Sequence, residues 1–105
     1  MLKIYTDVVS ALAALRPVVE QIEARDKDLG EQLRSALSSV ALNTSEGSGS
    51  QKGNQRARYF NALGSMKESR ACLDVATAWA YIEPVDPRLA DRLDHITAVL
   101  WRLTH

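Results

Sequence analysis

The sequence predicts an all-α fold, an up-down-up-down antiparallel four-helix bundle, and three observations carry that prediction. Apolar residues recur at three- and four-residue steps through most of the chain. The breaks between these stripes are short and hold Asp, Gly or Pro, so each helix must turn back along its predecessor. No stretch reads as a strand. At 105 residues the chain is one domain, residues 1–105, with 46% apolar and 25% charged residues, an ordinary globular composition.

The first helix is expected over 7–25, with Thr6 or Asp7 as N-cap and Val8, Leu12, Leu15, Val19 and Ile22 as its stripe. Pro17 interrupts it, at about 3 kcal/mol for an interior proline. The apolar phase continues across Pro17, which favours one kinked helix over two short ones. The second helix is expected over 28–46, after the charged break at 25–28, with Leu29, Leu33, Ala36, Leu37, Val40 and Thr44 on its core face. Gly47 stands where a left-handed cap belongs, and 47–53 reads as a flexible connector.

The third helix is expected over 54–82, with Tyr59, Phe60, Leu63, Met66, Leu73, Ala76, Trp79 and Ala80 as a broad apolar face that Glu83-Pro84 ends. The fourth, over 87–104, has Asp86 as N-cap and Pro87 at its first position. Leu89, Leu93, Ile96, Leu100 and Leu103 form its seam.

Composition narrows the function classes. Lys+Arg and Asp+Glu are both 13, so the net charge is zero, which argues against a dedicated nucleic-acid binder. A single cysteine, Cys72, permits no intrachain disulfide and suits a reducing cytoplasm. The first 17 residues carry Asp7 and lack a basic region ahead of a cleavage site, so no signal peptide is expected. No apolar run approaches the roughly 20 residues of a membrane span.

Catalytic patterns fail one by one. The glycine-rich loop follows a helix rather than a strand, and Lys52 precedes Gly53 without the Ser or Thr a P-loop requires. Di-metal bundles use Glu-x-x-His, which is absent. Asp91 and His95 share a helix face but read better as a surface pair than as metal ligands. Neither His lies near a Ser or Cys at a spacing that suggests a nucleophile. Cys72, at the edge of an apolar face, reads as a packed thiol, and the sequon at Asn43 falls inside a helix. No catalytic residue, metal, cofactor or small-molecule substrate is expected.

Two constellations remain. Gln32, Ser35, Ser39, Asn43 and Glu46 form a polar line beside the core face of the second helix. An antiparallel return centred near Ser50 brings Ala36 and Ser39 opposite Gly64 and Asn61 within a residue or two. Gly64-Ser65 in mid-helix costs about 1 kcal/mol relative to alanine, so a close helix approach is expected there. The expected seam comprises Gln32, Ser39, Asn43, Glu46, Gly64, Ser65 and Glu68, structural rather than a catalytic carboxylate pair. The second constellation is basic: Lys52, Arg56, Arg58, Lys67 and Arg70, a candidate nucleic-acid contact whose plainer reading is a solvated helix face.

The residues of the seam resemble a known family. Leu29, Gln32, Leu33, Arg34, Ala36, Ser39, Val40, Asn43, Glu46 and Gly47, followed by Ala62, Gly64, Ser65 and Glu68, match the pattern of the bacterial four-helix-bundle family that includes the 23S rRNA intervening-sequence proteins. The resemblance covers about residues 29–82. It implies a four-helix bundle, a ring-like homopentamer and no established enzymatic activity. Accessory variability determinants of diversity-generating retroelements are similar in fold and bind nucleic acid and a reverse transcriptase through a basic surface. This chain departs from the pattern after Gly47, where an aromatic, Arg- and Lys-rich loop is replaced by Ser48, Gly49, Ser50, Gln51 and Lys52. Three readings follow: a self-assembling scaffold or interaction protein, a nucleic-acid-binding accessory subunit, and, last, a small enzyme using Glu46 and Glu68.

Overall fold

The computed structural model describes residues 3–105 as four helices, with no strand among them: α1 (Lys3–Arg25), α2 (Lys27–Ser48), α3 (Lys52–Ala78) and α4 (Pro87–Thr104). Each helix packs against the next, and α1 also meets α4, as in a bundle. Its longest dimension, 42 Å, matches the roughly 40 Å that the 27 residues of α3 span at about 1.5 Å per residue.

The stripes read from sequence make the core. Val8, Leu15, Ile22, Leu33, Val40, Met66, Leu93, Ile96 and Leu100 are all at most 1% exposed. Burial of this apolar surface is the main source of stability, since side chains of this size each contribute about 1.5–3 kcal/mol when fully buried. Four residues assigned to apolar faces lie outside instead: Phe60, Trp79 and Leu103 are 61%, 67% and 42% exposed, and Ala80 is exposed too. The long α3 stripe included residues at its edge, and in α4 the buried position is Thr104 rather than Leu103.

Helix ends differ from the expected ones for identifiable reasons. α1 starts at Lys3, with Asp7 inside it and bonded to Lys3 at 2.9 Å, so neither Thr6 nor Asp7 is its cap. Residues 1 and 2 of the expected lead-in lie outside the described residues. α1 continues unbroken through Pro17, whose side chain is exposed. α2 begins at Lys27, one residue before the expected start, because Asp26 caps it by accepting a hydrogen bond from the Leu29 amide at 3.0 Å. Gly47 is no left-handed cap: it is buried inside α2, and no glycine has positive φ. The expected seven-residue connector shrinks to residues 49–51 because both flanking helices extend into it.

α3 ends four residues before the expected Ile82. Ala80 adopts φ 59°, its amide bonds to the Thr77 carbonyl at 3.0 Å, and the Tyr81 amide bonds to the Ala76 carbonyl at 2.9 Å. This is the Schellman arrangement, which normally places glycine where Ala80 stands. An L-residue in that region costs about 1–2 kcal/mol. Ala80→Gly should therefore stabilise the protein by about 0.5–1 kcal/mol after the greater unfolded-state entropy of glycine is subtracted, measured by urea unfolding. A destabilised variant would contradict this account of the α3 terminus. The turn is held against α1 by Gln21, whose Nε2 donates to the Tyr81 carbonyl at 3.1 Å, and by Arg25, 5.5 Å from the Tyr81 ring centroid.

Candidate functional site

The polar line of α2 meets α3 at its centre. Ser39 and Ser65 share a hydroxyl–hydroxyl bond of 2.8 Å, and Asn43 Nδ2 donates to both the carbonyl and Oγ of Ser39 at 3.0 Å. Ser69 Oγ donates to the Ser65 carbonyl at 2.8 Å, and Thr44 Oγ1 to the Val40 carbonyl at 2.7 Å. No buried side-chain polar atom among the described residues lacks a partner. The short polar side chains thus satisfy one another and the backbone, which compensates their weak helix propensity.

The other members of the line stand apart from this network. Gln32 and Ser35 are exposed and make no side-chain bond among the described residues. Glu46 does reach α3, as an exposed ion pair with Arg58 at 2.9 Å. Glu68 is exposed and has no ion-pair partner among the described residues. An open groove of about 490 Å³ runs over this seam, with Phe60 and Asn61 on its α3 side.

Gly64 does not provide the close approach. A Cβ built there meets nothing within 4 Å, because the residue faces outward. Two other glycines do: a Cβ at Gly47 would stand 2.6 Å from Tyr59 Cε1, and one at Gly30 would stand 2.8 Å from Glu23 Cα. Gly47 therefore lets α2 and α3 meet beside the Tyr59 ring, and Gly30 lets α1 and α2 meet beside their hairpin. Ser39→Leu would force a branched side chain against Ser65 and remove its partner. We expect a loss of about 1–3 kcal/mol in urea unfolding, and an unchanged midpoint would show that the seam is not packed as described.

The geometry does not assemble an acid–base pair. Ser39 faces Ser65 and Gly47 faces Tyr59, so Glu68 lies across from about Ala36. Ten α2 residues, roughly 15 Å at about 1.5 Å per residue, separate that level from Glu46. Paired catalytic carboxylates of the glycosidase kind work at about 5–9.5 Å. Burial pushes the Cys72 thiol up, with Glu68 adding to the effect, so this cysteine is a packed group rather than a thiolate nucleophile. Burial likewise raises the Tyr59 hydroxyl. No group of three or more His, Cys, Asp or Glu that could hold a metal occurs among the described residues.

The five basic residues are not brought to one patch. Arg58 turns to Glu46 on α2, whereas Arg70 turns to Asp94 on α4 at 2.6 Å. Lys52 and Arg56 lie at the start of α3, lining a hollow with Leu103, and Lys67 sits eleven residues beyond Arg56. Gln51 provides no side-chain cap there, so Lys52 and Arg56 add positive charge at the positive end of the α3 dipole.

Sequence reasoning missed a larger groove, about 770 Å³, between α3 and α4. Ala71, Ala98 and Trp101 give it an apolar floor, and Lys67 and Arg102 line it as well. Trp101 is 51% exposed and stacks on His105 at 4.1 Å between centroids. The available signal was Trp101 itself, one position off the Leu89–Leu103 stripe.

A family model for the 23S rRNA-intervening sequence protein matches residues 2–102. The chain belongs to that family. The match reaches well beyond the local pattern around Ser39, Asn43, Gly64 and Ser65, taking in α1 and all but the last two residues of α4. Comparisons with curated proteins and with solved structures gave no match. None of the helices described in this family member is long and apolar enough to cross a membrane.

Proposed function

We propose that the protein is a non-enzymatic, self-assembling cytoplasmic scaffold, an up-down-up-down antiparallel bundle that joins copies of itself into a ring-like homopentamer. One observation carries the reading: large apolar side chains lie outside the core, with Leu42, Phe60, Trp79 and Trp101 between 51% and 67% exposed. Burying such side chains against another copy is favourable, because removing apolar surface from water drives association. The antiparallel order is supported by Ser39 meeting Ser65 while the later Gly47 meets the earlier Tyr59. It is supported again by Ser10 meeting Arg92 while Gln21 meets Tyr81. The resemblance described above supplies the number five.

Multi-angle light scattering of the full chain tests the assembly. A mass of several chains is expected, and a monomer of 11.6 kDa at all attainable concentrations would overturn it.

A nucleic-acid-binding accessory role is a second reading, favoured by Lys52 and Arg56 at the uncapped start of α3. Ion pairing of Arg58 and Arg70 weakens it. Retention of mixed RNA or DNA that falls steeply with salt would support it, and no retention at low salt would exclude it.

A further inference from the structure

Two grooves flank α3, one on either side, and they carry opposite unpaired charges. The groove over the polar seam, on the α2 side, is lined by one charged residue, Glu68. Glu68 has no ion-pair partner among the described residues. On the α4 side Arg70 and Asp94 neutralise each other, leaving Lys67 and Arg102 against Asp74 alone. Asp74 lies about 10 Å along α3 from Lys67, at about 1.5 Å per residue, so the cations dominate the other end of that groove. Lys67 and Glu68 are neighbours in sequence, about 100° apart around the helix. Each therefore lines its own groove at nearly the same height along α3.

The shapes correspond as well. Gly64 leaves a notch in the first groove, between Phe60 and Glu68, where an added Cβ would meet nothing within 4 Å. Glycine is unfavourable in a helix interior, and nothing within the chain uses this gap. The second groove carries a projection, Trp101, 51% exposed beside Ala71 and Ala98. Asp94 meets Arg70, and Leu103 shares a hollow with Arg56. Trp101, between them on α4, therefore stands near the height of Phe60 and Gly64 on α3.

We infer that the two grooves are the two halves of one contact between copies of this chain. Trp101 of one copy seats over Gly64 of the next, against Phe60, while Lys67 and Arg102 face Glu68. A two-fold about α3 would set Glu68 on Glu68 and Lys67 on Lys67, whereas a head-to-tail step sets the unlike edges together. Because the joined residues stand at nearly the same height, that step is a rotation with little translation along the bundle. Heterologous contacts of this kind close into a ring instead of growing into a filament. The inference rests on the self-assembly proposed above and assigns its two surfaces.

Paired charge variants of the full chain test it. Glu68→Lys sets a cation against Lys67 and Arg102 of the next copy. Lys67→Glu combined with Arg102→Glu sets acids against Glu68. Each should weaken association by more than about tenfold in sedimentation equilibrium. An equimolar mixture of the two should recover it, since every joint between alternating variants then has one acidic and one basic side. Failure of the mixture to recover would overturn the pairing. All of these residues are exposed, so circular dichroism should show unchanged helix content. Gly64→Trp fills the notch without changing charge and should weaken association to a similar extent, and unimpaired assembly of that variant would overturn the seating of Trp101. If the unmodified chain assembles and every variant does so equally, the grooves are not the contact while self-assembly stands. A monomeric unmodified chain would remove both.

Discussion

Tyr59→Ala should cost about 3–5 kcal/mol of stability, the range for truncating a buried aromatic side chain. Tyr59 is 3% exposed, and its ring fills the space left by the absent side chain of Gly47. The same contact makes Gly47→Ala unfavourable in spite of alanine's better helix propensity. Its methyl group would enter within 2.6 Å of the ring edge, and a ring only 3% exposed has little room to move aside. A loss of about 1–3 kcal/mol is expected for this overpacking. The two costs are not independent. In the Tyr59→Ala background Gly47→Ala should be close to neutral, or favourable, since the clash is gone. A double-mutant cycle by urea unfolding measures this directly. Additivity within about 0.5 kcal/mol would mean that Gly47 and Tyr59 do not touch as described.

Gly30→Ala should destabilise the α1–α2 hairpin by about 1–3 kcal/mol, again against the sign of helix propensity. The added Cβ would come within 2.8 Å of Glu23 Cα, so backbone must move rather than a flexible side-chain tip. That movement would also disturb the paired hydrogen bonds from Arg34 to Glu23, at 2.7 and 3.0 Å. Those bonds, more than the charge of Arg34 alone, hold the Glu23 carboxyl below its ordinary range. Its contribution is therefore present at neutral pH and lost as the pH falls through that lowered value. The midpoint of urea unfolding at neutral pH should fall for Gly30→Ala. An unchanged or raised midpoint would show that propensity wins and the hairpin is looser than the geometry indicates. Gly64→Ala provides the contrast: with open space around it, the monomer should gain about 0.5–1 kcal/mol from propensity alone.

These glycines show where sequence reasoning stops. Gly30, Gly47 and Gly64 look alike on paper, each inside or at the end of a helical stretch. Gly64 drew the expectation of a close approach because it sits in mid-helix beside Ser65, whereas Gly47 resembled a cap. Only the neighbouring helix decides between them, by placing Tyr59 or Glu23 against one glycine and solvent against another. The polar seam was legible in outline for a different reason. Ser39, Asn43 and Ser65 are poor helix formers in mid-helix positions, and such residues need partners that the helix itself does not provide. Their spacing marked the edge of α2, while the identity of each bond depended on the register with α3. The basic residues are dispersed because proximity in sequence ignores helical phase: Arg58 and Arg70 leave α3 in directions that meet different acids.

By itself the sequence determined that four helices form and which stripe of each is buried. Those features depend on periodicity, proline and capping chemistry within a few residues. It also carried the family pattern around Ser39, Asn43, Gly64 and Ser65. The tertiary structure decided which glycines are contact points, which cations are neutralised, and which apolar residues of α3 and α4 remain outside. Each of those depends on the distance and direction of a second helix, a quantity that no local pattern along one chain contains.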